Sequence, residues 1–185
     1  MSQLIRCFIA VDVKDENVLN KIIRIQNLLP NGSLKLVEKE NMHFTLRFLG
    51  EIEQSLVETI RNSLKSVSFN PFNIHLKGVG AFPSFHKPRV VWIGVSEGAE
   101  NLMKLHSTIN EILKNLHIRL EEEEFTPHLT IARVKYPNRE LPHILNELKD
   151  EDFGQIIVKA FQFKQSILTP KGPIYKDLEV YSAVL

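Results

Sequence analysis

Apolar positions along this chain alternate between two periods, and the alternation lays out its elements. Cys7-Phe8-Ile9-Ala10-Val11 is an unbroken apolar run, too continuous for a strand with one face in water; it predicts a strand covered on both sides, ended by Asp12 to Lys14. From Asp15 the period lengthens. Val18, Ile22, Ile25 and Leu29 recur at helical spacing, and Pro30-Asn31-Gly32 supplies the stop. Leu34 to Val37 predicts a short strand, Glu38 to Asn41 a polar turn, and Met42 to Leu49 a strand closed by Gly50. A second helix is predicted over about 54–66, with Leu56, Ile60 and Leu64 on one stripe. Phe72, Ile74, Leu76 and Val79 then alternate as a half-buried strand does, and Gly80 to Pro88 reads as a loop.

The cycle then starts again. Val90 to Val95 predicts a buried strand, Leu102, Leu105, Ile109, Ile112, Leu113 and Leu116 a long helical stripe, and Phe125 to Val134 a strand region. A helix over about 139–148 buries Leu141, Ile144, Leu145 and Leu148. Ile156 to Phe163 predicts one strand, Thr169 to Pro173 a turn, and Ile174 to Val184 the last strand. First-half landmarks recur at a constant offset: His43 maps to His128 (128 − 43 = 85), Thr45 to Thr130, Gln54 to Arg139, Phe72 to Ile157 and Pro88 to Pro173. The expected fold is α+β and bilobal, with two pseudo-symmetric lobes, each an antiparallel sheet with helices, and an active-site cleft between them. Residues 1–185 are expected to form this one bilobal domain, with a pseudo-repeat at roughly 1–85 and 86–170 and a C-terminal strand at 174–184. The strands near Phe8 and Val180 are expected to share a lobe, and the middle of the chain to build the other.

The repeat carries two matching tetrapeptides, His43-Phe44-Thr45-Leu46 and His128-Leu129-Thr130-Ile131. On a strand, successive side chains alternate faces, so each His and its Thr project together while the apolar pair packs behind. Two imidazoles across a cleft can respectively take and give a proton near neutral pH, and two rotatable hydroxyls can hold phosphate oxygens between them. This chemistry suits a phosphodiester. A zinc site would need at least three protein ligands, yet the motifs hold no carboxylate or cysteine, and His75, His86, His106, His117 and His143 share no His-x-Thr context. Glu121 to Glu124 reads as a solvated turn. No metal and no other cofactor is expected.

Composition narrows the setting. With 23 Lys+Arg against 22 Asp+Glu the net charge is +1, so a nucleic-acid partner must be met by a local basic groove, not by the whole surface. A hydrophobic content of 43% over 185 residues suffices for a sizeable core. Cys7 is the single cysteine, which suits a reducing interior. Nothing in the chain reads as a signal peptide or a membrane span, so a cytoplasmic location and no membrane partner are expected.

The paired motifs and the opening Arg6-Cys7-Phe8-Ile9-Ala10-Val11-Asp12 resemble the two-histidine (2H) phosphoesterase superfamily. Within it the resemblance is to the bacterial and archaeal RNA 2′,3′-cyclic phosphodiesterases, also named 2′-5′ RNA ligases. It extends over His43 to Gly50, Arg89-Val90-Val91-Trp92, Thr126 to Arg133 and Gly172-Pro173-Ile174-Tyr175. The resemblance implies metal-free hydrolysis of a terminal 2′,3′-cyclic phosphate to a 2′-phosphomonoester, with His43 as proton donor, His128 as proton acceptor, and Thr45 and Thr130 on the phosphate. It implies RNA ends, tRNA ends among them, or cyclic nucleotides as partners, no obligate protein partner, and a monomer. It also brings Arg133 to the site, although on a regular strand Arg133 has the opposite parity to His128, so it reaches the cleft only where the strand bends or ends. Arg47 has the parity of His43 and is the better geometric candidate for a second cation. Phe8 and Tyr175 are candidates to stack a base. A 2′-5′ ligase and a nucleotide- or RNA-binding module without catalysis are the competing functions.

Overall fold

The computed structural model describes residues 3–120 and 123–185. The predicted acidic turn therefore falls partly outside the described residues, at Glu121 and Glu122, while Glu123 and Glu124 are exposed. The described residues form nine strands and four helices: β1 (Leu4–Asp12), α1 (Glu16–Gln26), β2 (Leu34–Leu36), β3 (His43–Glu53), α2 (Gln54–Ser63), β4 (Phe72–Phe82), β5 (Val90–Glu97), α3 (Ala99–Asn115), β6 (His128–Val134), α4 (Leu141–Leu148), β7 (Asp152–Val158), β8 (Ala160–Thr169) and β9 (Gly172–Ser182). Asp15 starts α1 as an N-cap, its carboxylate accepting from Val18 N at 2.9 Å.

The strands pair antiparallel in the order β7-β4-β5-β6-β3-β1-β8-β9, with β2 added to β6. β3-β1-β8-β9 forms one lobe and β7-β4-β5-β6 the other. Their junction is a single residue pair, Phe44 opposite Leu129, both with 0% of their surface exposed. The first and last strands share a lobe, as the sequence predicts. The helices are exchanged: α1 follows β1 of the first lobe but packs on β6 and β7 of the second, while α3 follows β5 of the second and packs on β3 of the first. α2 covers β1 and β3, and α4 covers β4. The apolar faces beneath these helices merge into one core that takes in Ile9, Phe44, Ile74, Ile93, Ile109, Leu129 and Phe163.

Three expectations are corrected. Ile156 to Phe163 is two strands in different lobes, because β7 pairs with β4 and β8 pairs with β1. Ile156 and Val158 are buried in β7 and Phe161 and Phe163 in β8, so the buried positions change parity across the exposed Lys159, where the chain changes partner. Gly80, Ala81 and Phe82 belong to β4 and not to a loop. β3 continues past Gly50, whose φ of +69° accommodates a bulge, to Glu53. Among the described residues no helix is long and apolar enough to cross a membrane.

Candidate active site

The Phe44–Leu129 pair fixes how the two motifs meet. Phe44, Leu46, Leu129 and Ile131 are buried on the helix side, so His43, Thr45, His128 and Thr130, all half-buried, lie on the opposite face, where the lobes part. Extending the register one residue each way sets His43 against Thr130 and Thr45 against His128. His43 and His128 are then diagonal neighbours across the seam where the two lobes meet.

Each imidazole is held by the same device. His43 Nδ1–H donates to Asn41 O at 2.7 Å, and His128 Nδ1–H donates to Thr126 O at 2.7 Å. The carbonyl two residues upstream thereby fixes the tautomer and leaves Nε2 for the cleft. His43 Nε2 also lies 3.0 Å from Thr45 Oγ1.

The surroundings of the two rings differ. His43 faces Asp12 across β1–β3, and Asp12 accepts from Lys164 Nζ at 3.0 Å; Lys164 also donates to Asp177 at 2.5 Å. The Lys164 side chain is only 8% exposed. Phe8 lies 5.1 Å from the His43 ring and Tyr175 meets it edge-on at 5.3 Å. Burial holds the His43 imidazole below its ordinary pKa; the Asn41 carbonyl and Asp12 pull it up, and Lys164 and Arg133 push it further down. His128 faces Gly94, with Phe82 edge-on at 5.0 Å and Trp92 at 6.3 Å. Trp92 lies across Gly80, where any Cβ would overlap the indole ring. Phe82, Trp92 and the Asp12–Lys164–Asp177 cluster are additions that the sequence reading misses; a hydrophobic run does not say which lobe its aromatics face.

Two bulges decide between the arginines: the bend that Arg133 needs is present, and the preference for Arg47 is overturned. In β6 the register on β5 skips from Ala132 to Thr130, leaving Ile131 as the extra residue; Ile131 and Ala132 are both buried, and Arg133 is turned onto the cleft face. The bulged carbonyl of Ile131 accepts from Val37 N at 2.9 Å and from the buried Gln26 Nε2 at 2.8 Å, so the irregularity is hydrogen-bonded rather than strained. Arg133 reaches the site electrostatically, its charge acting on both His43 and Tyr175. In β3 the register skips Leu46, and Arg47 is turned to the helix side, where Nε donates to Asn110 Oδ1 on α3 at 3.0 Å. Arg47 is not part of the cleft. Phe48 takes the cleft face instead, 60% exposed and 6.0 Å from Phe8. Phe8 is 2% exposed and supports His43 from beneath, so it has no face to offer a base.

The five other histidines are engaged elsewhere or exposed. His75 bonds Asp152 at 2.8 Å, His143 meets Glu147 at 3.2 Å, and His106 stacks on Phe125 at 4.2 Å. Among the described residues no group of three His, Cys, Asp or Glu is placed to hold a metal ion.

This geometry coincides with a known pattern: the profile of the LigT-like phosphoesterases matches the chain twice, over residues 11–92 and 93–175. The chain belongs to the LigT-like phosphoesterase family. Among its relatives, a protein of Archaeoglobus fulgidus named RNA 2′,3′-cyclic phosphodiesterase is 48% identical over 177 residues, covering 95% of this chain and 99% of its own. One of the same name from Methanocaldococcus jannaschii is 39% identical, covering 94% and 98%. The crystal structure of Escherichia coli LigT complexed with 3′-AMP superposes with a TM-score of 0.83 at 21% identity, covering 99% of this chain and all of that one, which shows the shared bilobal LigT fold.

Proposed function

We propose that this LigT-like phosphoesterase hydrolyses RNA 2′,3′-cyclic phosphate ends to 2′-phosphomonoesters, by acid–base catalysis between two histidines and with no required metal. The observation that carries it is the pair of backbone-anchored imidazoles, His43 and His128, whose Nε2 atoms open on one cleft beside Thr45 and Thr130. The names of the relatives agree with this substrate. Water attacks phosphorus as His128 takes its proton; the bond from phosphorus to O3′ breaks, and His43 gives its proton to O3′. The phosphate stays on O2′. Thr45 and Thr130 donate to the non-bridging oxygens, Thr45 after its hydroxyl turns away from His43, and Arg133 balances the charge that builds there. Tyr175 closes the His43 side. A buried Cys7, its thiol pushed up to about 11 by burial, is inert and fits a reducing cytoplasm.

Turnover of a 2′,3′-cyclic oligonucleotide in EDTA, with the product identified by phosphorus NMR, tests the reading. A 2′-phosphate formed at an undiminished rate is expected. A 3′-phosphate, or activity that returns only with added divalent ions, would overturn it.

The donor role makes a demand on His43. Burial holds its pKa down in the free protein, and an anion docked against Nε2 favours the imidazolium, so its pKa should rise on binding. The complex therefore holds more protons than the free protein, and anion affinity should fall as pH rises through the pKa of the complex. Sulfate keeps its charge across neutral pH and is a suitable probe. Calorimetry in buffers of different ionisation enthalpy should show proton uptake in the wild type and none in His43→Gln; uptake that survives the substitution would assign the proton to another group.

A further inference from the structure

β2 lies along the C-terminal half of β6, and its central residue, Lys35, pairs across the ladder with Arg133. Cross-strand partners share a face, so Lys35 stands on the cleft side with the re-aimed arginine. Both side chains are exposed. Like charges directly opposite on a sheet are destabilising. Neither is relieved by an acid: among the described residues, Lys35 and Arg133 enter none of the ion pairs or side-chain hydrogen bonds.

The Lys35 ammonium is nonetheless well placed. It rests against Gly172 at the start of β9, 3.0 Å from where a Cβ would stand there. The same hairpin is tied to the turn before β3 by Asn41 Nδ2, which donates to Pro173 O at 3.5 Å, and it carries Tyr175 against His43. The glycine leaves room for the ammonium between β2 and the hairpin, one step outward from the reactive centre. Arg133, the inner member of the pair, acts electrostatically on His43 and Tyr175.

We propose that Lys35 and Arg133 form a second phosphate subsite, which takes the 5′ phosphodiester joining the reacting nucleotide to the rest of an RNA chain. The inference rests on the proposed cyclic-phosphate hydrolysis and adds its selectivity. A cyclic nucleoside lacks the 5′ phosphate, whereas an RNA end carries it, so an anion bridges the two cations and relieves their repulsion only when a 5′ phosphate is bound. Arg133 is shared with the reacting phosphate, and Lys35 is the residue that distinguishes an end bearing a 5′ phosphate from a cyclic nucleoside.

The test compares three substrates with wild type, Lys35→Gln and Lys35→Arg: a nucleoside 2′,3′-cyclic phosphate, its 5′-phosphorylated form, and a trinucleotide with a 2′,3′-cyclic end. Lys35→Gln should lower kcat/KM about tenfold on both substrates that bear a 5′ phosphate, chiefly through KM, and reduce the salt slope by about one. It should leave the cyclic nucleoside unchanged, and Lys35→Arg should restore the loss. Equal falls on all three substrates would show a structural role, and no fall would remove the subsite. A fall confined to the trinucleotide would move the contact to a phosphate farther along the chain and overturn this placement. A wild type that turns over none of the three refutes the hydrolase reading itself, whereas one that turns over all three with no effect of Lys35→Gln refutes the subsite alone.

Discussion

His43→Ala and His128→Ala should each lower hydrolysis of an RNA 2′,3′-cyclic phosphate by about a hundredfold or more, the range for losing one general acid or base. The double substitution should cost less than the product of the singles, because both proton transfers serve one transition state and losing either already uncouples them. The rate should be bell-shaped in pH, with the two limbs belonging to the pair of imidazoles jointly. Thr45→Ala and Thr130→Ala should be milder, since they remove a hydrogen bond to phosphate and not a proton carrier. Single-turnover rates on a cyclic-ended oligonucleotide check all four variants. A double-alanine protein with full activity would end the two-histidine account, and strictly multiplicative losses would mean that the histidines act in separate steps.

Lys164→Met should destabilise the fold by about 3 kcal/mol. Lys164 is the shared cation of Asp12 and Asp177, and removing it leaves Asp12 with only the exposed Lys14, 3.9 Å away, as a cation; breaking a buried pair costs about 3–5 kcal/mol. The lower end applies because the Asp177 side chain is 36% exposed and water can reach it. The same substitution removes a positive charge that depresses His43, so the His43 pKa should rise and the corresponding limb of the pH–rate profile should move to higher pH. Urea denaturation measures the first effect and an NMR titration of the imidazole the second. A loss below about 1 kcal/mol would mean that the cluster is screened and contributes little.

The residues that were legible in the sequence are those whose signal is local. The His-x-Thr pairs declare their shared face through strand alternation, and α1 shows both its stripe and its Asp15 cap. Strand parity misleads at bulges. Arg47 has the parity of His43 yet faces α3, and Arg133 has the wrong parity for His128 yet faces the cleft, because Leu46 and Ile131 each insert one residue into a ladder. A sequence carries no mark of such an insertion; the partner that stabilises the second one, Gln26, comes from a helix 105 residues away. The Asp12–Lys164–Asp177 cluster was out of reach for the same reason, since Asp12 and Lys164 are separated by 152 positions. The split of Ile156 to Phe163 between lobes shows in the sequence only as one charged residue, Lys159, inside an apolar run, and only the structure reveals that the buried positions change parity there.

The exchange of helices between the lobes has the form of a swapped homodimer written into one polypeptide. In an actual homodimer a two-fold axis would give both histidines one environment, and whatever protonation suited one would be imposed on the other. Covalent continuity releases that constraint. The residue opposite His43 is Asp12, while the residue opposite His128 is Gly94, so two copies of one motif are free to diverge into an acid and a base.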